Sequence, residues 1–382
     1  MRSTRFKRRK AVMVIGAAAL AAALLFAAIA AAGSQSPQRS VYAKKKDHYT
    51  FVVSNNFLGN DYRPQLLRLA KLTANLPPFK GRVTVKVVES QPTTAAQLAD
   101  LNNIIRTKPD AILLEPPDPT GVNSAIKRAC DAGIVVIDVD QAATEKCAWT
   151  VAEDFYHAQY ILGEWMGQAL KGKGKIFVDD GLAGPDIAKT IEKGFLDGLK
   201  FQAPNVKVVA HYQGQFSNAP SQQAVSSLLV GNKDINGISN QGYCSPVENA
   251  LKSAGLKPLP VTCYGYNGEL RQCVVNHWQC GVSTGAPTGI QIAMKTALDI
   301  LDGKANPPKN VVIKNPEWIY VTNKASFHPK KTFGIPIVQI TQRECGAKTP
   351  PPGTTCSDLP AGMAMPFTLP QFHVSGLEAA GK

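Results

Sequence analysis

The sequence is poor in the residues that usually announce chemistry. Its 382 residues hold only six histidines (His48, His157, His211, His277, His328 and His373), with no HxxxH pair and no carboxylate beside them at metal-ligand spacing. A dedicated metal site is therefore not expected. Eight cysteines include no CxxC, which excludes zinc-ribbon and thioredoxin-type readings on spacing. No run of aromatics alternates with Lys or Arg, so the formal charge of +14 carries no nucleic-acid footprint. Much of that charge is local. Residues 1–32 hold six basic and no acidic side chains, leaving +8 for the rest. The densest remaining cluster, Lys44-Lys45-Lys46, reads as a solvated spacer. Gly181-Leu182-Ala183-Gly184 lacks the Lys-Ser/Thr of a P-loop and the third glycine of a dinucleotide fingerprint, and reads as a turn. No cofactor is expected.

One nucleophile motif is present. Gly281-Val282-Ser283-Thr284-Gly285 matches GxSxG between a predicted strand and helix. Only His328 and His373 follow it, both in Pro-flanked or irregular segments, and no acid lies in a strand-end loop between. An enzyme is not expected.

What is present begins with MRSTRFKRRK, then 22 apolar residues from Ala11 to Ala32 and small residues at Ala30–Gly33. This is the pattern of an export signal, and it is also long enough to span a bilayer if uncleaved. Residues 1–33 are read as signal peptide or N-terminal anchor, and 34–47 as a linker. Export places the even cysteine count in an oxidising compartment. Proximity in sequence suggests Cys130–Cys147 and Cys345–Cys356, then Cys244–Cys263 and Cys273–Cys280.

From residue 49, short β-branched runs alternate with stretches of 3.6-residue periodicity, as a doubly wound parallel α/β sheet requires. Strands are predicted at 49–54, 83–88, 111–114 and 134–139, with helices near 61–75, 94–106 and 121–132. A second series places strands at 175–178, 206–212, 237–239, 261–264 and 281–284. Its helices fall near 187–201, 220–230, 245–254 and 268–277, with one more at 288–301. Two Rossmann-like series of similar size imply two lobes and a cleft. Asp61 is the expected N-cap of the first helix. Trp165, Trp278 and Met166 are expected to pack helices. Beyond Phe333 the chain turns rich in Pro and Gly, and 333–382 is read as an irregular extension.

In open parallel sheets, ligands sit beyond the carboxyl ends of the strands. Those ends empty here into Ser54–Arg63, Glu115–Pro119, Asp138–Gln141, Gln213–Asn218, Asn240–Tyr243 and Gly265–Gly268. The six loops share carboxylates, amides and aromatic faces. Aromatics stack on apolar ring faces, and Asp, Asn, Gln and Arg bond vicinal hydroxyls, so the set suits a small polyhydroxylated ligand.

KPDAILLEPPDPTGVNSAIKRA from Lys108, AGIVVIDVD ending at Asp140, GNDYR at 59–63, and the GLAG and GYNG turns resemble the ribose-type periplasmic sugar-binding proteins. These are the substrate-binding subunits of ABC sugar importers, and the resemblance covers residues 48 to 325. It implies a type I periplasmic binding protein fold: two Rossmann-like lobes with parallel sheets and a three-strand hinge, crossing near Glu153, Ala286 and Asn315. Lobe 1 would hold 48–153 and 286–315, and lobe 2 would hold 154–285 and 316–332. Phe57, Asn60, Tyr62 and Arg63 would line the first wall, with Asp140 accepting from sugar hydroxyls and Gln141 beside it. Phe216 would be the opposing aromatic, with Gln241 and Asn267 as second-lobe contacts. Three positions depart from the family's usual pattern. Glu115 stands for an asparagine, Asn267 for an aspartate, and Ile191 where an arginine commonly meets the ligand. The resemblance implies an exported monomer that delivers a sugar or polyol to a membrane permease. Two alternatives stay open: a zwitterionic solute clamped by Arg63, Asp140 and Glu115, and a membrane-anchored sensory ectodomain.

Overall fold

A computed structural model of the chain describes residues 42–285, 287–309, 311–340 and Met363. The first series is β1 (Tyr49–Asn55), α1 (Tyr62–Thr73), β2 (Val83–Glu89), α2 (Thr94–Arg106), β3 (Ala111–Leu114), α3 (Asn123–Asp131), β4 (Val135–Val139) and β5 (Trp149–Ala152). The second runs α4 (Phe155–Ala169), β6 (Lys173–Asp179), α5 (Asp186–Gln202), β7 (Asn205–Tyr212), α6 (Asn218–Gly231), β8 (Gly237–Ser239), α7 (Ser245–Ser253), β9 (Val261–Tyr264), α8 (Asn267–Val275) and β10 (Cys280–Gly285). Then come α9 (Gly289–Leu301), β11 (Val312–Lys314), β12 (Glu317–Val321) and β13 (Ile337–Gln339).

These strands form two sheets, ordered β11-β5-β4-β3-β1-β2 and β13-β12-β10-β9-β8-β6-β7. Every pairing is parallel except β10 with β12. The chain passes from one sheet to the other after β5, after β10 and after β11, as the resemblance implied. β3 and β4 are buried at every residue, as strands covered on both faces must be. On one face of the first sheet, Tyr49, Phe51, Leu113 and Ile137 pack under α1 and α9 through Leu66, Ile290, Met294 and Leu298. Helix α9 thus returns to the first sheet although it follows the second in sequence. Opposite, Val52, Ile112, Leu114 and Val136 meet α2 and α3 through Leu101, Ile104 and Ile126.

In the second lobe α4 and α5 lie unusually close. A Cβ at Gly163, Gly194 or Gly198 would overlap backbone of the facing helix, so hydrogen is the only side chain that fits. Trp165 and Met166 are fully buried on α4, in packing roles. Disulfides join Cys130–Cys147, Cys244–Cys263 and Cys273–Cys280, three of the four expected pairs. The fourth, Cys345–Cys356, lies outside the described residues, as does the apolar segment 11–32. Among the described residues no helix is long and apolar enough to cross a membrane.

Two expectations need correction. The end of the 34–47 linker is not a solvated spacer. Tyr42 is buried, and Lys44 and Lys46 both reach the buried carboxylate of Asp110, at 3.3 and 2.7 Å. A charge so buried needs partners, and Asp110 also accepts from the Thr50 amide inside the sheet. Nor is the chain beyond Phe333 wholly irregular. Ile337–Gln339 adds a parallel edge strand to β12, and Met363 is buried in the second-lobe core.

Candidate functional site

The carboxyl ends of the strands of both sheets open onto one cavity of about 610 Å³. All six loops singled out in the sequence contribute to its lining. Of the ten candidate residues, Phe57, Asn60, Tyr62, Arg63, Glu115, Asp140, Gln141, Phe216 and Gln241 line it. Asn267 does not. It begins α8, is fully buried, and its amide donates to the Met363 carbonyl at 2.9 Å. Its neighbour Tyr266 lines the cavity instead.

The first wall is built on an ionic cluster. Nη2 of Arg63 contacts Glu115 Oε1 and lies 2.9 Å from Asp140 Oδ2. The Tyr62 hydroxyl donates to Asp140 Oδ1 at 3.3 Å, and the Gln141 amide donates to Glu115 Oε1 and the Pro116 carbonyl. All five side chains are buried. Burial opposes the Arg63 charge, but Glu115 and Asp140 outweigh it and hold the guanidinium above its ordinary range. One cation cannot neutralise two carboxylates. Burial pushes the Glu115 carboxyl up to about 8, against the pull of Arg63 and with the push of Asp140. Glu115 therefore keeps its proton to higher pH than an ordinary glutamate. Burial thus biases the glutamate, at a position where the resemblance leads one to expect asparagine, towards the neutral, hydrogen-bonding form.

Local backbone aims side chains on both walls. Asp140 sits at φ 76°, and Gln215 and Phe216 at φ 54° and 51°. Non-glycine residues adopt this left-handed region at a cost, and such positions cluster at ligand sites. The expected Asp61 cap is corrected. Its side chain makes no capping bond, and Asn60 Oδ1 accepts from the Arg63 amide instead, at 3.3 Å. Asp61 is engaged across the cleft, where the Tyr243 hydroxyl donates to its Oδ2 at 3.2 Å and accepts from its amide at 3.0 Å. Ser217 Oγ donates to the Gly59 carbonyl at 2.8 Å, a second bond between the lobes. Tyr62 meets Tyr264 edge-on, with ring centroids 6.1 Å apart. The lobes are closed on each other.

The second wall is organised by a residue that sequence reasoning missed. Asp179, the last residue of β6, is 1% exposed and accepts from the amides of Gly181 (2.8 Å), Gly214 (2.7 Å) and Gln241 (2.9 Å). One carboxylate thereby ties together the loops after β6, β7 and β8. Burial raises its carboxyl to about 6, against the three amides that favour the charge. The available signal was an aspartate at a strand end two residues before a glycine, an Asx-turn pattern. The Gly181–Gly184 turn also proves to be part of the lining, through Leu182 and Ala183. Asp179→Ala is expected to cost about 3 kcal/mol, since three buried amides lose a charged acceptor. Chemical denaturation of the variant checks this, and an unchanged midpoint would remove Asp179 from its organising role.

Ser283 of the GxSxG motif is 1% exposed, accepts from Gln159 Nε2 at 2.8 Å and does not line the cavity. Away from the cavity, His211, Asp180 and Glu192 come together at the protein surface, His211 Nδ1 lying 2.6 Å from Asp180. No sequence spacing signalled that cluster.

The sequence matches the periplasmic binding protein domain over residues 51–305. The chain belongs to this family. Within it, the chain is 23% identical over 262 residues to the ribose import binding protein of Bacillus subtilis (strain 168), covering 68% of this chain and 84% of that one. Among solved structures, an ABC transporter solute binding protein from Thermobispora bispora matches with a TM-score of 0.61 and 25% identity, over 70% of this chain and 84% of that one. A galactofuranose binding protein matches with a TM-score of 0.66 over 73% of this chain and 97% of that one, at 21% identity. Two Rossmann-like lobes joined by three segments are the type I periplasmic binding protein fold.

Proposed function

We propose that the protein is an exported solute-binding subunit of an ABC importer, which closes its lobes on a sugar or related polyol and presents it to a membrane permease. The observation that carries this reading is the convergence of six strand-end loops, from both lobes, on one cavity whose floor is the Arg63–Asp140–Glu115 cluster. Closure removes water from these groups and strengthens their bonds to ligand hydroxyls, while hinge bending couples occupancy to a shape the permease can read. The family relatives named above, which include a ribose import protein, support the same ligand class. Export rests on the basic-then-apolar N-terminal pattern.

The ligand undergoes no reaction in this reading, because the only nucleophile motif is buried outside the cavity and held by Gln159. A zwitterion is less well served than a polyol. Arg63 would have to offer charge to a ligand carboxylate, yet its Nη2 is already engaged by Asp140 and Glu115.

The Asp140→Ala variant tests the proposal. A thermal-shift panel of monosaccharides and polyols should raise the melting temperature of the unmodified protein with at least one compound. The variant should fold and lose that response. A response of equal size in the variant would remove Asp140 as the central contact.

A further inference from the structure

The two walls of the cavity differ in kind, and the difference constrains the ligand. On the first wall, hydrogen-bonding capacity is left over. Arg63 Nε, Glu115 Oε2 and Gln141 Oε1 are buried and have no partner within the protein. Buried polar atoms without partners are costly, so these groups are poised for a hydroxylated ligand.

On the second wall most polar groups are engaged by the protein itself, the exposed Gln215 side chain and one oxygen of Gln241 being the exceptions. Asp179 collects the amides of Gly181, Gly214 and Gln241 that would otherwise face a ligand. The Gln241 side-chain amide donates to the carbonyls of Asp179 and Ala188, at 2.9 and 3.0 Å. Its Oε1, beside Gly181, has no partner, as on the first wall. The Tyr264 hydroxyl donates to the Gly285 carbonyl at 2.6 Å and accepts from the Gly285 amide at 3.0 Å. What this wall offers instead is hydrocarbon, from Leu182, Pro185, Ile187, Ile191 and Phe216.

We infer that the ligand is a small amphiphile: a hydroxylated head of sugar size seated on the first wall, carrying a deoxygenated, alkyl or aryl portion against the second. The inference rests on the solute-binding reading above and narrows its ligand class. A ring hydroxylated on both faces would press hydroxyls against Leu182, Ile187 and Ile191, whose side chains cannot bond them. An apolar substituent in the same place gains about fourfold in affinity per buried methylene. A cavity of about 610 Å³ falls within the range of sites that enclose drug-sized ligands, so there is room for such a substituent.

Matched pairs test this by calorimetric titration of the purified protein: D-galactose with 6-deoxy-D-galactose, L-mannose with L-rhamnose, and D-glucose with phenyl β-D-glucoside. In each pair that binds, the apolar member should bind at least fourfold tighter, and the phenyl glycoside at least tenfold tighter. Ile191→Arg should reverse the preference. Because Ile191 is buried and that variant could misfold, Ile187→Asn, at a half-buried position, should weaken the apolar member at least fourfold without weakening its parent. If parents bind as tightly as their apolar partners, the inference is overturned and solute binding stands. If no member of any pair binds, both fall.

Discussion

Replacing Arg63 with alanine should destabilise the protein by about 3–5 kcal/mol and abolish ligand binding, the cost of leaving a buried acidic pair without its cation. Asp140 and Glu115 are as deeply buried as Arg63, so water cannot take over its role. The loss would not stop at Coulomb energy. Arg63 also stacks against the Tyr62 ring, at 5.4 Å from its centroid, and Tyr62 in turn bonds Asp140. Arg63→Lys should fall between the two, keeping the charge but losing the guanidinium whose Nη2 reaches both acids. Thermal and denaturant unfolding of the two variants, with titration of any ligand found for the parent, gives the measurement. A stable Arg63→Ala protein that still binds would mean the cluster is neither the structural nor the functional centre of the first wall.

The second large effect is on pH dependence, and it lies at the hinge. Glu153 follows β5 and Glu317 opens β12, so two of the three connecting segments each bring a buried carboxylate to one place. Gly285, on the third, pairs with Glu317 in the β10–β12 register, and a Cβ there would overlap the Glu153 carboxylate. Asn315 donates to Glu153 Oε1 at 3.0 Å, while both oxygens of Glu317 are buried without a hydrogen-bond partner. Burial, then Glu317 and Asp140, drives the Glu153 carboxyl well above the ordinary range. Burial, then Asp154 and Asp140, does the same to Glu317.

In the unfolded chain both carboxyls release protons near their ordinary value of 4.5. The folded protein keeps these protons to higher pH, so it binds more protons than the unfolded chain above that value. Stability is therefore full below about pH 4.5 and declines as pH rises, by about 1.4 kcal/mol per pH unit for each retained proton. Glu115, raised to about 8, and Asp138, raised by burial to about 7, push the same way. Asp302 works in the opposite direction. Burial alone would raise it, but hydrogen bonds from Arg82, Lys304 and Tyr49 bring it down to about 2, so its contribution is lost on acidification below about pH 4. Melting temperature should accordingly peak near pH 4–5 and fall towards pH 8. Glu317→Gln should flatten the alkaline limb, because an amide has no proton to lose. Identical slopes in variant and parent would show that the hinge carboxylates do not carry the dependence.

The sequence revealed the regular elements wherever a local pattern determined them. β3 and α2 match their predicted bounds, because Ala-Ile-Leu-Leu is apolar throughout and Thr93 caps a periodic run, accepting from the Ala96 amide. β5, β11, β12 and β13 were not predicted as strands. They are three to five residues long, and each pairs with chain distant in sequence, which no local window contains. Nine candidate residues line the cavity because strand-end position is a topological property that a βαβ rhythm exposes. Asn267 fails by one residue. Tyr266 and Asn267 occupy the same turn, and which of them faces the cleft depends on how α8 begins. Asp179 and the Gly181–Gly184 turn were missed for a different reason: their role is to bond other loops, and a bond between loops leaves no trace in either one alone.

The central claim is that the cluster of Arg63, Asp140 and Glu115 forms the floor of a binding site for a small hydroxylated solute. Isothermal titration of the purified protein with monosaccharides and polyols, repeated on Asp140→Ala, tests it most directly. The account predicts one-to-one binding of at least one compound by the parent and no measurable heat with the folded variant. Absence of binding across the panel by the parent, or equal affinity in the variant, would contradict it.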